Sequence, residues 1–198
     1  MKTVLKTAPV NDAVSVEEAK EHLRLILGDT TDDEYLKVLI DLATGKVEQF
    51  LRRRLITQTW YYYMSEWPSC DYISIPFGQL KSAVAPIVTY IDSDGDTNTF
   101  AAADYIVDTD SEPGRIVLDY GEVWPSGVLY PSNPIIVQYV CGYGDDGSDV
   151  PAGIRHAMKL IISDMYEKRE TILVGTIMSH SRIAENLLWP YRLRGLFA

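Results

Sequence analysis

The sequence predicts an α+β protein: a small helical bundle, two N-terminal helices plus a C-terminal helix, with an inserted antiparallel β module. Three observations predict it. Apolar residues recur at helical spacing up to about residue 54 and again after residue 150. Between these stretches, β-branched and aromatic residues gather in short runs separated by turn signals. Charge divides the chain in the same way: residues 1–57 carry 9 Lys and Arg against 10 Asp and Glu, residues 58–149 carry 2 against 14, and residues 150–198 carry 7 against 4. The net charge of −10 therefore belongs to the middle of the chain. The expected organisation is a helical part over 1–57, an inserted acidic β module over 58–149, and a C-terminal helix with a docking tail over 150–198 that packs back on 1–57.

Each element has a local cause. Ser15 and Glu18 form a capping-box pattern in which each side chain reaches an orphan backbone N–H of the first helical turn. Val16, Ala19, Leu23, Ile26 and Leu27 follow at helical spacing, and Gly28 suits a left-handed stop. Thr31 and Glu34 repeat the capping pattern before a stripe from Tyr35 to Leu51, a helix expected to run to about Arg54. Arg52, Arg53 and Arg54 would then sit at the negative end of its dipole. Strands are predicted over Ile56–Met64, Tyr72–Phe77, Val84–Ile91, Thr97–Phe100, Tyr105–Val107, Arg115–Leu118 and Pro134–Val140, with Asp94-Gly95, Pro113-Gly114 and Trp124-Pro125 among the turns. Gly142–Asp149 reads as a flexible hinge. Pro151 opens a helix with Ile154, Ala157, Met158, Ile161 and Met165 on one face, to about Glu170. A looser stretch, 171–180, precedes a short helix that ends before Pro190.

Composition excludes several classes. With 46% hydrophobic and 11% aromatic residues the chain has enough apolar surface for a core, so general disorder is excluded. No apolar run approaches the roughly 20 residues of a membrane span, and Met1–Val10 lacks the apolar stretch of a signal peptide. Two cysteines and three histidines are too few for a disulfide framework or a structural zinc site. Cys70 and Cys141 are expected to be reduced thiols in a cytoplasmic setting. P-loop, dinucleotide-binding and nucleophile-elbow motifs are absent from the sequence. Asp92–Asn98 has the look of a calcium loop, but Gly95 falls one place early and no glutamate closes it, so a hairpin turn is expected. His22, His156 and His180 have no second ligand at metal spacing. No catalytic residue, metal site or cofactor is expected.

The aromatic residues need a different account. Trp60-Tyr61-Tyr62-Tyr63 places large side chains on both faces of one strand, and only one face can be core. The tail, with Leu187, Leu188, Trp189, Tyr191, Leu193, Leu196 and Phe197, is apolar where chain ends are usually polar. Both features suit burial at a protein interface. Arg52, Arg53, Arg54, Trp60 and Tyr62 are the expected subunit-interface residues.

Four stretches in this order resemble the head–tail connector proteins, or head-completion adaptors, of long-tailed double-stranded DNA bacteriophages and prophages, in the variety that carries a β insertion. These are Val14–Arg24 with Thr31–Glu34; Val47–Trp60, the most specific; Asp104–Asp108 through Pro113-Gly-Arg115 and Trp124-Pro125; and Tyr139–Gly144 with Val150-Pro151, Ile154-Arg155, Tyr166-Glu167 and Arg169-Glu170. The resemblance runs from about residue 14 to 194. It implies a structural virion part: a ring of this chain, usually of twelve subunits, between the portal protein and the next connector or tail-completion protein. Viral DNA would pass through the centre without sequence-specific binding. It also implies a location in the virion neck after assembly in the bacterial host cytoplasm, and a C-terminal region that engages the portal. Two other readings stay open: a tail-completion or baseplate structural protein, and a small carbohydrate-binding or carbohydrate-active β module.

Overall fold

A computed structural model describes residues 2–78, 80–81, 84–167 and 182–193. The expected loose stretch 171–180 and the tail residues Leu196 and Phe197 lie outside the described residues. The chain forms two compact units. Of the described residues, those within 10–56 and 144–192 form one unit, which is helical, and those within 2–9 and 57–143, with Leu193, form the other.

In the helical unit, α1 (Val16–Leu23) starts as its sequence dictates. The Glu18 N–H donates to the Ser15 hydroxyl, and the Ser15 N–H donates to the Glu18 carboxylate. The helix stops short of Gly28, because Arg24 takes the left-handed conformation at φ 59°. The cause is the buried Lys20, which donates to the carbonyls of Leu27 and Asp29 and pairs with the Asp33 carboxylate. Those oxygens can gather on one ammonium only if the chain leaves the helix. The second capping box does not form either: Thr31 donates its N–H and its hydroxyl to Asp29, and Asp32 stands at the N-cap of α2 (Asp33–Leu51). Short polar side chains readily divert to such local bonds.

The apolar stripe of α2, including Leu36, Ile40, Ala43, Val47 and Leu51, is buried, as are Ile154, Ala157, Met158 and Ile162 of α3 (Ala152–Glu167). The helices α2 and α3 pack together, α1 lies against both, and α4 (Arg182–Leu188) packs on α3. The expected hinge is pinned instead. Asn11 donates to the Asp145 carbonyl and the Asp146 carboxylate, and Asp146 and Asp149 exchange capping bonds. Gly147 passes so close to the Ala13 carbonyl that a Cβ there would stand 2.7 Å from its oxygen.

The β unit contains β1 (Lys2–Thr7), β2 (Gln58–Met64), β3 (Tyr72–Ser74), β4 (Ile87–Ile91), β5 (Thr97–Thr99), β6 (Tyr105–Asp108), β7 (Arg115–Leu118) and β8 (Ile135–Cys141). Five strands form one sheet in the order β1-β2-β8-β4-β5, and three form a second in the order β3-β7-β6, with every pair antiparallel. One core joins the two sheets: Tyr62, Met64, Val88, Ile135, Val137 and Tyr139 from the larger meet Ile73, Tyr105, Ile116 and Leu118 from the smaller. The N-terminal arm, grouped with the helices in the sequence reading, is strand β1. Its backbone covers the side of β2 that would otherwise be an open edge. The Asp92–Asn98 segment is the expected hairpin turn, in which the Asp92 carboxylate accepts the N–H groups of Asp94 and Asp96 and the Asn98 amide.

Burial separates the two isoleucines that test this core. Ile135 is fully buried, whereas Ile106, on the outer face of β6, is 53% exposed. Ile135→Ala should cost about 2–5 kcal/mol of stability, and Ile106→Ala less than about 0.5 kcal/mol. Urea unfolding followed by tryptophan fluorescence checks both; equal costs would contradict the assigned faces.

Candidate assembly surfaces

The three arginines after α2 separate by role. The helix ends at Leu51, one turn earlier than its periodicity suggests, and Arg52 caps it in the left-handed conformation at φ 58°, with its side chain exposed. Arg53 is 6% exposed and its Nε donates to the Tyr191 carbonyl at 2.7 Å. Arg54 pairs with Glu48 at 2.7 Å, and Glu48 also accepts the Leu55 N–H. Two of the three cations thus hold their own unit together, and Arg52 is the one that reaches solvent.

The C-terminal segment divides similarly. Leu188 and Leu193 are buried, Leu187 and Tyr191 are partly covered, and Trp189 is 52% exposed. Phe50 and Trp189 lie with ring centroids 6.2 Å apart, and the Arg192 guanidinium sits over both rings at 5.1 and 5.3 Å. Beside them an apolar recess of about 70 Å³ opens between α2, α3 and α4, walled by Val47, Phe50, Ile161, Ala184 and Leu188. With Ile183 at 65% exposure, this end of the helical unit presents apolar surface that its own core leaves uncovered.

In β2 the alternation decides which aromatic rings are available. Tyr62 is 7% exposed in the core, and Trp60 packs against that core, its ring 4.7 Å from Phe77 and its Nε1 donating to Gln58. Trp60 and Tyr62, the expected interface pair, therefore face inward. Tyr61 and Tyr63 occupy the opposite face, 6.1 Å apart, beside Lys6, whose ammonium lies 5.0 Å from the Tyr61 ring centre. Period-two alternation identifies two faces without saying which is core. The register with β8 settles it, pairing Tyr62 with the buried Val137 and Tyr61 with the half-exposed Gln138.

Sequence reasoning also missed the β7–β8 connection. Trp124 stacks on Trp67 at 5.1 Å and 8°, and its Nε1 donates to the Cys70 carbonyl. The backbone is tied again where the Tyr130 N–H donates to Ile91. On this anchored loop Tyr120, Val123 and Val128 are 73% exposed or more. Apolar residues beside Pro and Gly were the available signal, but turn chemistry explained the same residues.

Little in the described residues suggests chemistry. No group of three His, Cys, Asp or Glu there could hold a metal ion. His22 and His156 meet edge to face at 6.1 Å, and burial, then the neighbouring His156 and Lys159, lower the His22 imidazole below its ordinary value. Neither Cys70, at the surface, nor Cys141, in the core, forms a disulfide among the described residues. No described helix is long and apolar enough to cross a membrane. Among the described residues uncovered apolar and aromatic surface is what stands out, and surface of this kind suits contact with other proteins.

Known proteins agree. Residues 13–97 match the family described as Phage gp6-like head-tail connector protein. The whole chain superposes on a chain in the neck of an empty gene transfer agent particle computed with C6 symmetry, with TM-score 0.82 and 20% identity, covering 100% of this chain and 98% of that one. Similar superpositions are found with the virion of the native gene transfer agent particle, at TM-score 0.78 and 20% identity, and with its neck computed with C12 symmetry, at 0.76 and 19%. The coverage is the same for both, 100% and 98%. No curated protein sequence matches. The α+β fold expected from the sequence is borne out, and the family match over residues 13–97 agrees with the head–tail connector resemblance.

Acid tests one polar cluster of the β unit. The Asp108 carboxylate accepts the Ser111 hydroxyl and N–H, the Asp110 N–H and the Arg115 guanidinium, and these bonds, Ser111 first, hold it below the ordinary 3.8, at about 2. A depressed carboxyl adds stability above its unfolded value, and that contribution is lost as pH falls from 3.8 toward 2. Asp108→Asn should flatten the pH dependence of the urea midpoint in that window; an unchanged slope would show that the cluster does not form.

Proposed function

We propose that this chain is the subunit of a closed ring in the neck of a phage or phage-like particle. The ring sits between the portal and the next connector or tail-completion protein, with the DNA passing through its centre. The observation that carries the reading is a coincidence of two likenesses. A head–tail connector family matches the first helices and the junction into the β unit, and the entire chain shares its fold with a chain of a gene transfer agent neck. Necks of six- and twelvefold symmetry are rings of repeated copies, and twelve is the number proposed here.

Portal docking is assigned to the C-terminal segment, with its roles divided by burial. Leu188, Leu193 and the Arg53–Tyr191 bond fix the segment in place, while Trp189, with Leu196 and Phe197 beyond it, is the part that meets the portal. The acidic middle of the chain, 14 acids against 2 bases over residues 58–149, suits a surface that DNA passes without adhering. The chain acts by holding partners in register rather than by catalysis, and assembles in the host cytoplasm.

Native mass spectrometry of the full chain titrated against its cognate portal ring tests this. Saturation at one copy per portal subunit is expected. Trp189→Asp combined with truncation after Leu193 should weaken binding at least tenfold while leaving the fold unchanged by circular dichroism. An intact portal ring that binds no copies would overturn the reading.

A further inference from the structure

The two edges of the five-stranded sheet carry opposite charge. At one edge β1 reads Lys2-Thr-Val-Leu-Lys-Thr7, with no acid, and it pairs with β2 alone; Lys2 is exposed, while the Lys6 ammonium turns back over its own sheet and donates to Gln138 at 2.6 Å. At the other edge β5 pairs with β4 alone and follows the turn Asp92-Ser-Asp-Gly-Asp96, three acids and no base. The Asp92 carboxylate is engaged within the turn, which holds it ionised by lowering its pKa and fixes the loop, while Asp94 and Asp96 are exposed. Three strands lie between the two edges, so they are separated by about 19 Å at the usual strand spacing.

We infer that these edges are the copy-to-copy contact of the ring: the lysine-bearing β1 edge of one subunit faces the Asp94–Asp96 edge of the next. The inference rests on the ring reading above and adds the surface that makes the ring. An edge strand offers unpaired backbone groups and readily takes a neighbour. Charge selects which neighbour. Two β1 edges would oppose lysine to lysine, and two β5 edges aspartate to aspartate, so a two-fold pairing through either edge is disfavoured. Lysine edge to aspartate edge is favoured, and it joins two different surfaces. A contact of that kind is heterologous and propagates until it closes into a ring. The bulge between Leu5 and Thr7 breaks the regular pairing pattern at the β1 edge, which limits uncontrolled strand addition.

Charge-reversed full-length chains, Lys2→Asp and, separately, Asp94→Lys with Asp96→Lys, test the inference on the cognate portal by native mass spectrometry and chemical cross-linking. Each variant alone places like charges at every edge contact, and its ring yield should fall at least fivefold. An equimolar mixture restores lysine against aspartate at every contact, so mixed rings of alternating copies should recover the native yield. Recovery also excludes misfolding as the cause of the loss. Variants that form rings alone as well as the native chain does, or a mixture that fails to recover, would overturn the edge contact. Native copies that bind the portal without cross-linking to one another would overturn the ring reading itself.

Discussion

Everything in the β unit depends on one ladder, the seven-pair register of β2 with β8 from Gln58–Cys141 to Met64–Ile135. It joins residues far apart in sequence and sets the parity of both strands. Gln58, Trp60, Tyr62 and Met64 face the core with Ile135, Val137, Tyr139 and Cys141, and Tyr61 and Tyr63 face away. A slip of one residue would exchange the faces and expose the largest side chains of the core. Because the first and last long strands of the insert are paired along their length, its two ends lie side by side.

Buried cations set the shape of the helical unit in a comparable way. Lys20 ends α1 early by gathering two carbonyls and the Asp33 carboxylate, and Arg53 holds the Tyr191 carbonyl. Buried ammonium and guanidinium groups are costly to leave unpartnered, so each one dictates the path of the chain around it. The Arg155 guanidinium on Glu18 does the same between α3 and α1, using the carboxylate that also caps α1. These internal ties leave surface uncovered at Arg52, Trp189 and Tyr120, and in the proposed role that surface meets partners.

Much of this was legible in the sequence. Helical stripes, short β-rich runs and turn pairs located α2, α3 and every strand from β2 to β8 to within a few residues, and the Ser15–Glu18 cap formed as read. What failed were places where a long-range polar group competed with a local rule. Gly28 is the better left-handed stop by propensity, yet Arg24 takes that role because Lys20 needs the carbonyls beyond it. The strand β1 escaped notice although Thr3, Val4 and Thr7 are β-branched, because the run is short and its partner β2 lies far away in the sequence. Likewise, a run of three arginines cannot reveal that Arg53 and Arg54 are used internally, since Tyr191 and Glu48 reach them only through the fold. The aromatic run announced an exposed face, but choosing between Tyr61 and Tyr62 required the register with β8.

The proposed position of this chain in the neck of a phage-like particle is the claim on which the functional reading stands. Electron cryomicroscopy of the neck of the assembled particle tests it most directly. The account predicts density for this chain, helical unit and two-sheet β unit together, repeated as a closed ring directly below the portal and around the DNA channel. Density for the chain in the tail tube or baseplate, with the ring below the portal built from another protein, would contradict it.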